Sequence, residues 1–547
     1  MMILNKMKRC FCFSAGIIIA IYFVIVCFLA KNIPYFDDYG ALLKDTLDFF
    51  MNESFIDKLK VLFSGSGEHR LFFTHMIPVI IVFLVGKVNL LLVLFVVFLL
   101  SLSMYLLLLN FCNKDCRPYF YLPVSLLLFG GSNLETFIWP MSGLANIGIN
   151  LLALLSIYLI LVKENVKLFA GGILLLFVTV FSNGNGMAVI PVLLLGLLWQ
   201  KRKKKAVIVA FISILLLIGY FYNFSLDNTG SSNLLDRLKI IHLLFVSFFL
   251  FVGNNVFIPE FKWISLCVGI SCFMIYLYAF WKKYYKYNLC CFAFLTYLYL
   301  SSAMVALGRG ENMDAIGADR YHVYASLILI STLAIVIQYL YKYGKIQYYY
   351  VMLPFLFIFY ISSMIYTGNK EYNVTMWKEA TAYNWKHYRC CVLAFDNNQT
   401  LDLLYRLEKT DLFVMPNLLE KDLVSPCEKD DLLNKEFLSD DANLVIEDCD
   451  KRSGYFVVKG FLEESSPTRI TSANLWLIGK DNQYKVNTRF GQRFGVTHED
   501  SNPITGFLNC FREQEVASGE YQIVLETNDF VRNTSKYFLS DFVLSVD

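Results

Sequence analysis

The chain has 547 residues, of which 57% are hydrophobic and only 17% are charged. Soluble globular domains hold about 45–50% apolar and about 25% charged residues, so this composition excludes an ordinary soluble protein. The net charge of +3 is divided unevenly: residues 367–547 hold 20 Lys and Arg against 29 Asp and Glu, whereas the preceding residues hold 28 against 16. A basic, apolar part of this kind fits a membrane that carries anionic lipid. Nothing in the composition indicates a nucleic-acid partner.

The first apolar stretch, residues 13–31, follows Lys6, Lys8 and Arg9 and has no clear small-residue cleavage site after it. This pattern predicts an uncleaved first helix rather than a signal peptide. A helix needs about 20 apolar residues to cross about 30 Å of hydrocarbon. Ten further segments are predicted to span a membrane: 88–111, 119–131, 146–162, 167–182, 187–200, 206–223, 263–281, 289–307, 322–340 and 348–366. Two more apolar stretches, 71–86 and 240–254, are interrupted or short, and we interpret them as re-entrant or interfacial segments.

The distribution of Lys and Arg predicts the orientation of these eleven spans. With a cytoplasmic N-terminus, the inner side carries 17 basic residues against two acidic ones, and the outer side before residue 367 carries 11 against 14. Cytoplasmic loops are typically enriched in Lys and Arg, as in the KRKKK block at 201–205. Because an odd number of spans separates the two ends, residues 367–547 are predicted to be extracytoplasmic.

The C-terminal part divides into two patterns. Residues 367–442 are predicted to be mainly helical, and residues 443–547 show short alternating runs between Gly, Asn, Asp and Pro, which indicates antiparallel strands and a β-sandwich. Trp476 and Tyr484 are either exposed rings that bind carbohydrate or members of the core. The five cysteines of this part show no metal-ligand spacing.

Four charged or Gly-rich clusters lie on the predicted outer side, where charges near helix ends invite a functional hypothesis. Adjacent carboxylates in PYFDDYG repel each other, which suits a group that takes up a proton. The second cluster, GEHR, offers an acid, an imidazole and a guanidinium that matches phosphate. The third is the late GRGENMDAIGADRYHVY loop, and the fourth pairs SNLETFIWP with the SNGNG turn, where glycine permits close backbone approach. The candidate residues are Asp37, Asp38, Glu68, His69, Arg70, Glu135, Trp139, Asn185, Arg309, Arg320, Tyr321 and His322. For each cluster the alternative is an ordinary loop, helix cap or membrane anchor.

Taken in order, the acidic pair, EHR, the Gly-Asn-Gly turn and the late GR…RYH loop resemble glycosyltransferases of the GT-C superfamily. The likeness is greatest to bacterial and phage-encoded transferases that modify O-antigen, including serotype-converting glucosyltransferases, and it extends to about residue 420. The resemblance implies that residues 1–366 form a catalytic membrane domain in a bacterial inner membrane. The implied donor is a polyprenyl-phosphate-linked sugar, with glucose one candidate, and the implied acceptor is a surface polysaccharide on the periplasmic face. It implies inversion at the anomeric carbon, no certain cofactor, and an open question about a divalent cation.

The resemblance also implies roles for the residues. One of Asp37 and Asp38 matches the base that deprotonates the acceptor hydroxyl. The donor phosphate is matched by Arg70, Arg320 and Arg309, with His69 nearby. The remaining candidates are expected to bind substrate: Glu68, Glu135, Trp139, Asn185, Tyr321 and His322.

Two other functions are compatible with the pattern. A polysaccharide polymerase or ligase also uses outer-loop arginines, but it would normally show a large late loop between spans rather than a terminal soluble domain. A transporter of polysaccharide or lipid-linked sugar should carry charges near helix midpoints, whereas nearly all charges here lie at helix ends.

Overall fold

The computed structural model describes residues 2–66, 69–222, 241–256, 262–309, 316–389, 398–416, 424–427, 442–452, 455–464, 472–488, 490–491, 506–529 and 534–546. The chain forms two compact units. The first joins Met1–Ala30 to Asp37–Asn369, and the second joins Lys31–Phe36 to Lys370–Asp547.

The first unit is helical and carries the membrane part of the protein. Among the described residues, eight helices are long and apolar enough to cross a membrane. They are Arg9–Leu29, Leu90–Phe111, Pro140–Val162, Lys203–Phe221, Lys262–Trp281, Leu289–Arg309, Asp319–Lys342 and Gln347–Tyr372. Each coincides with a predicted span, which agrees with the expectation of a polytopic helical membrane protein.

Eight helices of spanning length are described, and the other three of the eleven predicted spans fall on shorter helices. The segment 119–131 contains no single helix of spanning length, since a short turn, Arg117–Phe120, leads into the eight-residue helix Tyr121–Leu128. A span at 119–131 therefore stays a prediction. The Tyr121–Leu128 helix is almost wholly buried, so its apolar residues belong to the interior of the unit rather than to a surface facing lipid. At the following turn, a Cβ on Gly131 would lie only 2.2 Å from the carbonyl oxygen of Ser363, so the two segments pack in direct contact.

Four further apolar helices are shorter than a spanning helix: Phe72–Val85, Val166–Ser182, Gly184–Trp199 and His242–Val252. The first and last fall on the stretches interpreted as re-entrant or interfacial, and at 1.5 Å per residue the first reaches only about 21 Å. The middle two fall on predicted spans. Eight spans alone would return the chain to its starting side, so the side on which the second unit lies stays a prediction.

The remaining helices of the first unit form the connections between the apolar helices. A π-helical turn, Asp38–Lys44, continues into Asp45–Met51, and Phe55–Leu62 follows. A two-stranded hairpin pairs Gly65–Ser66 with His69–Arg70. The short helix Leu134–Ile138 precedes the Pro140–Val162 span.

The helical part of the second unit starts with the continuation of the last span, since one helix runs from Gln347 to Tyr388. The Lys31–Phe36 segment lies against this continuation: Lys31 Nζ is 2.9 Å from Glu379 Oε1, and Lys378 Nζ lies 4.8 Å from the centre of the Tyr35 ring. A second helix, Asn398–Lys409, is joined to the first by a hydrogen bond from Trp385 Nε1 to Glu408 Oε1 at 2.7 Å.

The C-terminal strands form two antiparallel sheets. In sheet order, the five-stranded sheet contains Thr534–Val546, Gly519–Asp529, Ser472–Gly479, Gln483–Thr488 and Val424–Cys427. The four-stranded sheet contains Ala442–Arg452, Tyr455–Glu464, Gly506–Arg512 and Phe490–Gly491. Both sheets contribute to one hydrophobic core that includes Val458, Phe511, Leu475 and Phe538, which is the packing of a β-sandwich.

Trp476 and Tyr484 are both buried, with 4% and 9% of their surface exposed, so the interpretation as core residues is confirmed. Trp476 Nε1 donates to Glu526 Oε2 at 2.9 Å, and Lys485 Nζ lies 3.1 Å from the same oxygen. Burial alone would raise the pKa of Glu526, but the hydrogen bonds from Trp476 and Lys485 and the charge of Lys485 hold the pKa below its ordinary value. Glu526 is therefore a buried carboxylate stabilised in its charged form.

Candidate functional site

Two arginines from the late loop and its preceding helix surround one tyrosine ring. Arg309 ends the Leu289–Arg309 helix, and Arg320 lies in the turn Asp319–Tyr321 that opens the next helix. Arg309 Nη1 donates to the Tyr321 hydroxyl at 2.5 Å, and the guanidinium carbons of Arg309 and Arg320 lie 5.7 and 5.3 Å from the Tyr321 ring centre. Tyr321 is 9% exposed. Two like charges at one ring repel each other, so this arrangement favours an anion between or beside them.

Trp139 extends this cluster from a distant part of the sequence. The Arg320 guanidinium lies 5.9 Å from the Trp139 ring centre, within the range of a cation–π contact. Among the residues that the structure describes, Arg320 has no hydrogen bond and no ion pair. Its planar guanidinium is held by two aromatic rings, which leaves its donors available to a bidentate ligand such as phosphate. We call Arg309, Arg320, Tyr321 and Trp139 the arginine cluster.

The backbone adds positive potential at the same place. The Pro140–Val162 helix starts directly after Trp139, and the His322–Lys342 helix starts directly after Tyr321. The N-terminus of a helix carries about half a positive charge and several N–H groups without partners in the helix. Two helix N-termini therefore reinforce the arginine cluster.

Two carboxylates and an imidazole lie beside the cluster. A carboxylate oxygen of Glu135 and one of Asp319 lie within 4.8 Å of each other. His322 is buried and its Nδ1 lies 2.8 Å from the Ser132 carbonyl oxygen, while its Nε2 lies 3.8 Å from Asp319 Oδ1. His322 thus joins the late loop to the loop that carries Glu135 and Trp139. Carboxylates of this kind are ligands for Mg²⁺ or Ca²⁺.

The structure gives Asp37 and Asp38 different environments. Asp38 is fully buried, and its Oδ1 accepts a hydrogen bond from the backbone N–H of Met141 at 2.9 Å. Met141 is the second residue of the helix that follows Trp139, so Asp38 caps this helix N-terminus and lies one short segment from the arginine cluster. Asp37 is exposed. Burial raises the pKa of the neighbouring Tyr39, and the charge of Asp38 adds to that shift.

Arg70 makes structural contacts that the sequence does not predict. Its Nε donates to the Tyr220 carbonyl oxygen at 2.7 Å, and its two terminal nitrogens donate to the carbonyl oxygens of Phe63 and Tyr222 at 2.5 and 2.6 Å. Tyr220 and Tyr222 lie at the end of the Lys203–Phe221 helix, where carbonyl groups lack partners in the helix. Arg70 therefore caps a helix C-terminus, and three of its five N–H groups are already used.

His69 and the SNGNG turn come together near Tyr220. A Cβ on Gly184 would lie 2.9 Å from His69 Nδ1, so a larger residue at this position would force the His69 side chain to shift. In the same turn, Asn185 is buried and its Nδ2 donates to the Tyr324 hydroxyl at 3.2 Å. Tyr324 lies on the helix that follows Tyr321, which connects the turn to the arginine cluster. Glu68 lies outside the described residues.

Two polar groups of the interior were not among the predicted residues. His75 is buried, with Nε2 at 3.0 Å from Asp45 Oδ2 and Nδ1 at 3.3 Å from the Leu62 carbonyl oxygen. Ser326 Oγ lies 2.7 Å from Asn255 Oδ1 and 3.1 Å from Asn133 Oδ1, close to the turn that precedes Glu135. In the sequence, each of these groups could have been recognised as a single polar residue within an apolar run. A polar residue in a membrane is energetically unfavourable and therefore needs hydrogen-bond partners.

No family model, no curated protein and no solved structure matches this chain. The likeness to GT-C glycosyltransferases therefore rests on the short motifs alone.

Proposed function

We propose that this protein is a membrane glycosyltransferase of the GT-C type that moves a sugar from a polyprenyl-phosphate carrier to a surface polysaccharide. The observation that carries the proposal is the arginine cluster, in which Arg320 has no anionic partner among the described residues. In this proposal the cluster binds the donor phosphate. The protein acts in a bacterial inner membrane, on the face to which the late loop belongs.

The proposed reaction is a displacement at the anomeric carbon of the donor sugar, with the arginine cluster facing the leaving phosphate. An acceptor hydroxyl attacks the anomeric carbon, the bond from that carbon to the phosphate oxygen breaks, and the lipid phosphate leaves with the bonding electrons. Negative charge grows on the phosphate during this step, so fixed positive charges that face it lower the barrier. Arginine serves this purpose well because it stays protonated at any physiological pH.

Asp38 is our candidate for the base that takes the proton from the acceptor hydroxyl. It accepts from the Met141 N–H, two residues after Trp139, so its carboxylate belongs to the same segment as the arginine cluster. Asp37 has no such connection in the described structure and is exposed. Because Asp38 has no exposed surface, the proposal requires the residues that cover it to move when substrates bind.

A transporter is one of the competing functions, and one observation argues against it. The charged groups of the cluster lie at the ends of the Leu289–Arg309 and Asp319–Lys342 helices. A transport site is typically found near the middle of the membrane, at interrupted helices. A site at helix ends is instead at the depth of a lipid phosphate.

The test is sugar transfer by the full chain reconstituted in liposomes, with labelled polyprenyl-phosphate sugars as donors and surface polysaccharide as acceptor. We expect transfer by the wild type and a large loss in Asp38→Asn, which keeps an oxygen for the Met141 N–H but loses the charge. The matched control is Asp37→Asn, the same chemical change at the adjacent exposed position.

Each result has a distinct meaning. Loss in Asp38→Asn with retention in Asp37→Asn supports both the function and the assignment of the base. The reverse pattern makes Asp37 the base and Asp38 a helix cap. Absence of transfer by correctly folded wild type with every donor tested contradicts the proposed function.

A further inference from the structure

A cavity of about 280 Å³ lies between the start of the first helix and the connection that follows the Leu90–Phe111 span. It is lined by Arg9, Cys12, Lys114, Arg117, Pro118 and Tyr121. Three of these six side chains are cationic, and among the described residues no acidic side chain lines the cavity. Asp115 is exposed and is not part of the lining.

The walls of the cavity are fixed by packing. Ala15 and Ile18 of the first helix form a buried cluster with Leu122 and Leu126 of the helix Tyr121–Leu128. Next to this cluster, the Tyr119 ring centre lies 6.2 Å from that of Phe11 and 5.3 Å from that of Tyr349. This packing holds the backbone that carries the basic side chains in place, so the three side chains stay close together around the cavity.

The cavity lies at the other end of the membrane helices from the arginine cluster. Gln338 Nε2 donates to the Phe111 carbonyl oxygen at 2.9 Å, which places the end of the Leu90–Phe111 span beside the last turns of the His322–Lys342 helix. Tyr321 precedes the first turn of that helix. With 1.5 Å per residue, the two sites are separated by about 25 Å along the helix. This second end is the one predicted to face the cytoplasm.

Arg117 is the side chain that points to a ligand. Its Nε is buried and has no hydrogen-bond partner within the part of the chain that the structure describes. One of its terminal nitrogens donates to Asn110 Oδ1 at 3.3 Å, a long contact. A buried donor on a charged group that lacks an acceptor costs free energy, and such groups in proteins are normally satisfied by protein, water or ligand. Arg117 lines the cavity, and an acceptor oxygen that enters it and comes within hydrogen-bonding distance of Nε would satisfy this donor.

We infer that this cavity binds the phosphate of an anionic lipid headgroup. Arg9 and Lys114 are exposed and have no ion pair with any described residue, so their charges are available to the same phosphate. Pockets that enclose a whole small molecule start at roughly 300 Å³, so this cavity fits a headgroup but not acyl chains. Its place at the start of the first helix and just after the Leu90–Phe111 span puts the phosphate at headgroup depth, and cytoplasmic leaflets supply anionic lipid.

A general excess of Lys and Arg on the cytoplasmic side explains part of this pattern, but not its geometry. Such an excess attracts anionic lipid wherever it occurs. It does not require three cations to line one cavity. The block at 201–205 offers the comparison, since Lys203 and Lys204 are exposed basic residues that do not line the cavity.

The test is native mass spectrometry of the full chain in detergent, titrated with phosphatidylglycerol, phosphatidylcholine or inorganic phosphate. We expect the wild type to retain phosphatidylglycerol in preference to phosphatidylcholine. Arg117→Gln and Lys114→Gln should each weaken phosphatidylglycerol binding by about fivefold, the effect of one cation near an anionic lipid. Arg117→Lys should fall between wild type and Arg117→Gln, because it keeps the charge but loses the Nε donor. Lys203→Gln is the matched control and should change binding by less than about twofold.

Three results overturn the inference. If Lys203→Gln and Lys114→Gln weaken phosphatidylglycerol binding equally, the lipid responds to the overall positive charge and not to a specific site. Equal retention of the two lipids would exclude recognition of the headgroup charge. Displacement of phosphatidylglycerol by low concentrations of inorganic phosphate would show that the cavity binds free phosphate and is not a site for a lipid headgroup. Should Arg117→Gln unfold, Lys114→Gln decides the matter, because Lys114 is exposed and its loss removes no buried contact.

Discussion

Replacing Arg320 with glutamine removes the charge of the arginine cluster that has no partner of its own among the described residues. In the protein without substrate, the loss in stability should be small. The guanidinium contacts two rings at 5.3 and 5.9 Å, near the outer limit of cation–π attraction, and each contact contributes about 0.5–1 kcal/mol at a partly exposed site. The loss in stability is therefore about 1–2 kcal/mol, with no ion pair broken in the described structure.

The expected cost to catalysis is larger. Removing one donor that stabilises charge in a transition state typically lowers kcat about 10²–10³-fold, or about 2.7–4 kcal/mol. We therefore expect Arg320→Gln to fold and insert normally but to transfer sugar at least about 100-fold more slowly. Arg320→Lys should be intermediate, since lysine keeps the charge without the planar fork of donors.

The assay is the initial rate of lipid-phosphate release by reconstituted protein at saturating donor, with thermal unfolding in detergent measured in parallel. Lys87→Gln is the matched control, because Lys87 is an exposed lysine outside the cluster. A rate for folded Arg320→Gln within about threefold of wild type would refute the catalytic role that we derive from charge stabilisation. A collapse in Tm with a proportional loss of activity would instead make Arg320 a structural residue.

Three further predictions follow from particular contacts. Glu526→Gln should destabilise the second unit by about 1–3 kcal/mol at neutral pH. The pKa of Glu526 in the folded protein lies below its value in the unfolded chain. The stabilisation by the charged carboxylate is therefore present above the unfolded pKa and is lost as the pH falls through the folded pKa. Thermal unfolding from pH 7 to pH 3 checks this, with exposed Glu520→Gln as the control, and an unchanged difference at every pH would contradict it. Gly131→Ala should lower the Tm by the equivalent of about 1–3 kcal/mol or block insertion, since a Cβ there would lie 2.2 Å from Ser363 O; a wild-type melting curve would disprove the close contact. Arg70→Gln should lower the Tm by the equivalent of about 2 kcal/mol or more, because it removes charged donors from three carbonyl groups. A variant that loses sugar transfer but keeps the wild-type Tm would instead support the phosphate-binding role predicted from the sequence.

The sequence predicts the membrane helices well where hydropathy and length agree. Eight predicted spans correspond to helices of spanning length in the described chain. The segment 119–131 holds only the short helix Tyr121–Leu128. A helix buried within the unit is as apolar as one that faces lipid, and periodicity alone does not distinguish them.

In the second unit, alternation of apolar and polar residues predicted most strands but missed Val424–Cys427, which lies in the segment predicted to be mainly helical, and Gly506–Arg512. The Gly506–Arg512 strand buries Asn509 between Phe507 and Phe511 on the side that faces the core. A polar residue at a core position breaks the pattern from which strands are recognised.

The candidate site was only partly predictable for a different reason. The motifs pointed to Trp139, Asp319 and Arg320, but the contact between the two loops depends on packing of helices about 180 residues apart along the chain. The sequence motifs around Arg70 and Arg320 are equivalent. In the structure, Arg70 donates to backbone carbonyls, whereas Arg320 contacts only aromatic rings among the described residues. Only the tertiary structure shows which arginine has donors to spare.

The most direct test of the central claim is the composition and linkage of the surface polysaccharide in bacteria that express the wild type, Asp38→Asn or Arg320→Gln, with membrane insertion checked for each. Our account predicts one added sugar in wild-type cells and its absence in both variants despite normal insertion. An unchanged polysaccharide in cells that express inserted wild-type protein, or the same added sugar in all three strains, would contradict it.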